Sequence, residues 1–225
     1  MRESPLFPHF EDLPEILPIF PLTGVLLLPG GALPLNIFEP RYLAMVDEAM
    51  KTNRLIGMVQ PRHEENADDP FAKNLFNIGC AGRVTGFEET EDGRYQITLT
   101  GVCRYKITEE QDMLNGFRRV TPDWSDFRED MKAEGPCLDI ERSRMTGLLK
   151  RYFEANGLTC DWEAVEVTPD ERLITCLAMV CPLEPKEKQA LLEAENCRIR
   201  AEMFLNLLEM AVRESESGCG SGCTH

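Results

Sequence analysis

The apolar residues of this chain repeat with two different periods. Between residues 16 and 124 they alternate, or run in short blocks broken by Pro and Gly; from about 138 onward they recur at three- and four-residue intervals. The first pattern belongs to strands and the second to amphipathic helices. Tyr95, Ile97 and Leu99 alternate with Gln96, Thr98 and Thr100, as in a half-buried strand. Gly101 breaks that strand, and Cys103, Tyr105 and Ile107 alternate again. Leu55-Ile56-Gly57-Met58-Val59 reads as a buried strand, and residues 82–88 and 117–124 as two more. Glu91-Asp92-Gly93 is a hairpin turn, because Asp-Gly tolerates positive φ. Residues 16–38 hold two or three short extended pieces set apart by prolines, which belong at strand edges, bends or starts. Residues 61–77 form a long polar loop. Several short strands joined by turns predict an antiparallel barrel or sandwich.

One helix interrupts the β half. Pro40 fits the first turn of a helix over 40–51, where a missing N–H costs nothing. Glu39 sits at its positive end, and Arg41 can reach back to it. Glu39, Pro40, Arg41 and Tyr42 are therefore assigned to a structural corner joining strand to helix. In the second half, a helix over 138–155 closes at Asn156-Gly157, and Asp161 caps a short one through Val165. Thr168 is the expected N-cap of a helix whose apolar face is Leu173, Ile174, Leu177 and Val180 and which ends at Pro182. Pro185 starts another helix through Glu193, with Glu184 a poor cap; the last buries Ile199, Met203, Phe204, Leu207, Leu208 and Ala211. The predicted fold class is α+β, with a β lobe followed by a helical bundle. Its expected parts are an arm (1–13), the β lobe (14–124), a linker (125–137) containing Glu134-Gly135-Pro136, the bundle (138–213) and a flexible tail (214–225).

Composition narrows the partners. The net charge of −15 repels phosphate backbones and anionic lipid, so neither nucleic acid nor membrane is an expected partner. No apolar run is long enough to span a bilayer, and the acidic start lacks a signal-peptide pattern, so a cytoplasmic location is expected. The nine cysteines are odd in number, and Cys80, Cys103, Cys137, Cys160, Cys176, Cys181 and Cys197 lie among apolar neighbours. In a reducing compartment they read as core residues rather than a disulfide framework.

Catalytic equipment is sparse. There is no G-x-x-x-x-G-K-[ST] and no G-x-S-x-G, so no P-loop ATPase and no nucleophile elbow are expected. His9 and His225 lie near the termini, and His63 lies in the acidic loop. Neighbouring Glu88 and Glu89 point opposite ways along a strand and cannot share a proton. No catalytic residue, cofactor or complete metal site is assigned. Cys219, Cys223 and His225 supply two soft thiol ligands and an imidazole on one strip, short of the four ligands of a structural zinc site, and remain only an alternative metal or redox element. Phe20, Ile37 and Phe38 alternate properly and are expected in the core, whereas the run 25–28 before Pro29-Gly30-Gly31 suits a loop rim.

Particular runs carry a family likeness. Leu17-Pro18-Ile19-Phe20-Pro21-Leu22, then Leu28-Pro29-Gly30, then Ile37-Phe38-Glu39-Pro40-Arg41-Tyr42 resembles the opening of the Lon protease N-terminal domain, the Lon substrate-binding domain. Ile78-Gly79-Cys80-Ala81-Gly82-Arg83-Val84, Leu99-Thr100-Gly101-Val102-Cys103-Arg104-Tyr105 and Lys188-Gln189-Ala190-Leu191-Leu192-Glu193 extend the likeness over roughly residues 14–213. The resemblance implies a PUA-like β-barrel followed by a helical bundle. It implies a standalone, ATP-independent module that is not an enzyme and binds unfolded or degron-bearing polypeptide, as an adaptor for a protease or chaperone. Exposed apolar residues would make the contact. Leu26, Leu27, Leu28, Phe71 and Phe76 are the contact candidates, acting through the barrel face and the cleft between lobes. A ligand-binding or enzymatic use of that cleft is the competing expectation.

Overall fold

The computed structural model describes residues 8–62, 74–132 and 141–218. Six strands form one sheet: β1 (Leu17–Pro21), β2 (Ala32–Ile37), β3 (Leu55–Val59), β4 (Ile78–Glu89), β5 (Tyr95–Leu114) and β6 (Phe117–Asp123). Their order is β2-β5-β4-β3-β1-β6, and β6 pairs again with β5. The pairing thus closes a ring of five strands, with β2 attached outside it. The purely antiparallel barrel expected from the sequence is corrected at one seam. β1 and β3 are parallel, with Ile19 beside Gly57. The chain between them crosses over through β2 and helix α1 (Pro40–Lys51), a connection that a hairpin cannot make.

Ring closure depends on β5. Gly101 does not end it; the strand runs 20 residues, pairing first with β2 and β4 and then with β6. Gly101 is required by crowding, since a Cβ there would lie 2.0 Å from the Leu28 carbonyl oxygen. A register shift opposite Ala81 and Gly82 leaves Val102 as a bulge residue. Ile97 and Leu99 therefore join one core cluster while Cys103 and Tyr105 join another. The smaller cluster fills the ring around Tyr105, together with Leu17, Ile19, Leu55 and Val120. Cβ atoms at Gly57 and Gly79 would sit 2.5 Å and 2.6 Å from the Tyr105 hydroxyl, so both positions stay bare.

The larger cluster lies between the strands and the helices α1, α2 (Arg142–Ala155), α3 (Trp162–Val167), α4 (Asp170–Val180), α5 (Pro185–Glu193) and α6 (Cys197–Gly218). Several expectations change here. Phe38 is 62% exposed, because it lies past the end of β2 where alternation turns it away from α1. Val180 and Ile199 are exposed on α4 and α6, while Phe204 and Leu208 are fully buried as expected. Thr168 ends α3 instead of starting α4: its hydroxyl donates to the Ala164 carbonyl, and Pro169 becomes the cap. Glu184 caps better than expected, since the Glu187 carboxylate accepts its backbone N–H at 2.9 Å. The expected linker begins as an ordered 3-10 segment, Ser125–Met131, with Phe127 in the core. α6 continues to Gly218, past the expected end of order near residue 213. Cys80, Cys103 and Cys181 are buried as expected, but Cys176 is exposed. Cys197 is disulfide-bonded, with its partner outside the described residues.

Candidate polypeptide-binding surface

The corner between β2 and α1 is built as its residues suggest. Pro40 is the first helical residue, and Arg41 Nε donates to Glu39 Oε2 at 2.9 Å. Tyr42 is buried, with its ring centroid 4.1 Å from that of Phe20 and 4.6 Å from the Arg41 guanidinium. These side chains fix where β2 ends; Tyr42 is buried there, while Pro40 is exposed and Glu39 and Arg41 are half-buried.

The expected contact residues are placed differently. Leu26, Leu27 and Leu28 are 2%, 1% and 0% exposed, so they are core and not a loop rim. The cause is backbone pairing: Gly30 N–H donates to the Gly101 carbonyl and Gly101 N–H to the Gly31 carbonyl, which pins this run against β5. Phe76 is half-buried, its ring 5.6 Å from the Arg62 guanidinium. Phe71, Cys219, Cys223 and His225 lie outside the described residues. Among the described residues no group of three or more His, Cys, Asp or Glu is placed to hold a metal.

At α5 the expected inter-lobe cleft is filled. Gln60 Nε2 donates to the Pro185 carbonyl at 3.0 Å and Gln189 Nε2 to the Ile78 carbonyl at 3.1 Å. Lys188 Nζ donates to the Gly24 carbonyl at 2.9 Å, and burial pulls its pKa below the usual lysine range. Arg104 pairs with Asp130 at 2.8 Å and donates to the Leu192 and Ala194 carbonyls at 3.1 Å and 2.6 Å. These groups satisfy one another and dock the helices onto the sheet.

An open surface exists elsewhere. Pro34–Asn36 of β2, Gly86–Glu88 of β4 and Gln96–Thr98 of β5 line an open groove of about 460 Å³. Cross-strand register sorts the two faces of this sheet region. Leu35, Ile97 and Phe87 stand in one row toward α1. Pro34, Thr98 and Gly86 form the next row on the opposite face, followed by Asn36, Gln96 and Glu88. Phe38 continues that outer face, with the Arg94 guanidinium 6.0 Å from its ring. On the α1 side, Phe87 is 44% exposed and packs edge-on against Tyr95 at 5.0 Å. Tyr95 donates to Asp47 at 3.1 Å. In the adjoining turn, Asp92 accepts from Thr90 and pairs with Arg94, which together hold its carboxyl below the usual range. Sequence reasoning passed over this face because its alternating polar positions look like ordinary solvated strand. The one available signal was Phe38, an aromatic residue in phase with Pro34 and Asn36.

A ring of strands carrying a helical half across a packed junction defines an α+β module. The family described as the ATP-dependent protease La (LON) substrate-binding domain matches residues 16–210, and the chain belongs to that family. It is 28% identical over 209 residues to a Lon protease of Anaeromyxobacter dehalogenans, covering 91% of this chain and 24% of the relative. It is 24% identical over 198 residues to Lon protease 2 of Myxococcus xanthus, covering 88% of this chain and 24% of that protein. The chain thus spans about a quarter of the length of the curated relatives it matches. In fold it is similar to the crystal structure of a Lon N-terminal domain protein from Xanthomonas campestris (TM-score 0.57, 24% identity, 85% of this chain and 97% of that one). It is also similar to the N-terminal domain of a Mycobacterium avium complex Lon protease (TM-score 0.58, 14% identity, 88% and 98%). No described helix is long and apolar enough to cross a membrane.

Proposed function

We propose that this chain binds non-native or degron-bearing polypeptide without cleaving it and presents it to a protease or chaperone. The observation that carries this is the family match over residues 16–210. The exposed aromatic residues Phe38 and Phe87 beside an open groove agree with it, since apolar side chains left in water on a packed domain favour association. Binding would require no nucleotide, and the chain would act in the cytoplasm. The domain partition, with an arm, a β lobe, a linker and a bundle, belongs to the same proposal.

The test is capture by the immobilised full chain of a model substrate in native and denatured forms, without ATP. Selective retention of the denatured form, uncleaved, is the expected result. Equal retention of both forms, retention of neither, or cleavage that survives repurification would each refute it.

A further inference from the structure

We propose that the outer face of β2, β5 and β4 seats an extended, cationic segment of the client polypeptide. Such a seat presupposes the polypeptide-binding role above and specifies where and what the chain binds. The groove floor is small: Gly86 has no side chain, and Pro34 and Thr98 flank it across the strands. A partner backbone can therefore approach the sheet closely. Three strands about 4.8 Å apart give a width of about 10 Å, room for roughly three residues of extended chain.

The polar groups match a peptide backbone. Asn36 and Gln96 lie directly across from one another on this face, and neither carboxamide hydrogen-bonds another described residue. Each offers two N–H donors and a carbonyl acceptor, the complement of a peptide unit. Phe38, 62% exposed, continues the same face and offers an apolar contact to one client side chain.

Charge selects the client. Residues 86–98 carry Glu88, Glu89, Glu91 and Asp92 against one cation, Arg94, which already pairs with Asp92 at 2.8 Å. Glu88 lies in the Asn36–Gln96 row of the groove and forms no ion pair with a described residue. An approaching Lys or Arg gains a carboxylate there, whereas an acidic segment or a phosphate backbone is repelled.

The experiment titrates the full chain into two fluorescein-labelled, end-blocked peptides of equal apolar content, one alternating Phe with Lys and one alternating Phe with Glu. Anisotropy should show the Lys peptide binding roughly tenfold more tightly at low salt, with the preference shrinking as the Debye length falls. Glu88→Lys should weaken the Lys peptide about fivefold and improve the Glu peptide. Phe38→Ser should weaken both peptides. All these positions are exposed, and circular dichroism checks that each variant keeps its fold. Equal binding of the two peptides, or variants indistinguishable from the parent, would overturn the assignment. If the parent still captures denatured substrate in that case, the polypeptide-binding role stands and only its location falls; if it captures none, both fall.

Discussion

Arg104 illustrates what single residues decide in this molecule. It is buried, its Nε and Nη2 both reach Asp130 at 2.8 Å, and its Nη1 serves carbonyls at the end of α5. Arg104→Met keeps an apolar stem but strands a buried carboxylate and those carbonyls. The expected loss is about 3–5 kcal/mol, read as a lower urea midpoint. Replacing Asp130 with Leu in the same protein should recover part of that loss, because no unpaired charge then remains. The buried thiols set a second prediction. Burial pushes the thiols of Cys103 and Cys181 up to about 12, and that of Cys80 upward as well, from an ordinary value of 9.0. The folded chain keeps protons that the unfolded chain releases above 9.0, so this stability is complete below that pH and declines as pH rises toward 12. Lys188 acts oppositely: with its pKa lowered, its burial cost is relieved as pH climbs toward 10.5. Three thiols outweigh one ammonium, so the thermal midpoint should fall above pH 9, and a rise there would refute the balance. The burial of these thiols was legible from their apolar neighbours, but the Arg104 network was not. The run Leu99–Tyr105 marked Arg104 as part of a family likeness, but not its role, because its partners lie 26 and 90 residues away.

At the scale of elements, legibility followed local chemistry. α1 was readable over its whole span because Pro40 fixes its first turn and its apolar residues recur at helical spacing. The far half of β5 was missed: residues 108–114 are largely polar, yet they form a strand because they return into β6. The available signal was Asn115-Gly116, whose positive φ values of 50° and 85° make the hairpin turn. α3 starts on its own cap, with Asp161 accepting from the Ala164 N–H at 3.1 Å as expected, but its end depends on a distant residue. The Arg142 guanidinium donates to the carbonyls of Val165, Glu166 and Thr168 at 2.6, 3.0 and 2.8 Å, and it also pairs with Asp170. One fork therefore closes the end of α3 and ties it to the start of α4. Arg142→Ala should cost about 1–3 kcal/mol and speed hydrogen exchange in Trp162–Val167 before the strands are affected. Unchanged exchange in that helix would show that its local cap suffices without the Arg142 fork.

At the scale of the whole molecule, the change from strand period to helix period correctly marks two kinds of structure, but it does not mark two cores. Phe20, Met58 and Cys80 of the strands share one buried cluster with Leu149, Leu177 and Phe204 of the helices. Seen from β3, every residue from Leu55 to Val59 is buried: Leu55 and Val59 face the ring interior, Ile56 and Met58 the helices. A strand buried on both faces needs both layers in place. The β half alone would expose Ile56, Met58 and the Leu26–Leu28 run to water, at roughly 25 cal/mol for each Å² uncovered. The two tryptophans test this coupling directly. Trp124 packs against Tyr105 at the ring, with centroids 5.7 Å apart, and Trp162 packs against Phe153 in the helical half at 5.8 Å. Replacing either one with Phe leaves a single fluorescent reporter on the other half. Urea transitions of the two single-Trp proteins should coincide in midpoint and slope, once corrected for the effect of each substitution on overall stability. Loss of the Trp162 signal at clearly lower urea would mean that the helices leave while the ring persists. The shared cluster would then be a contact between separately stable halves, and the buried polar seam at α5 would be where they part.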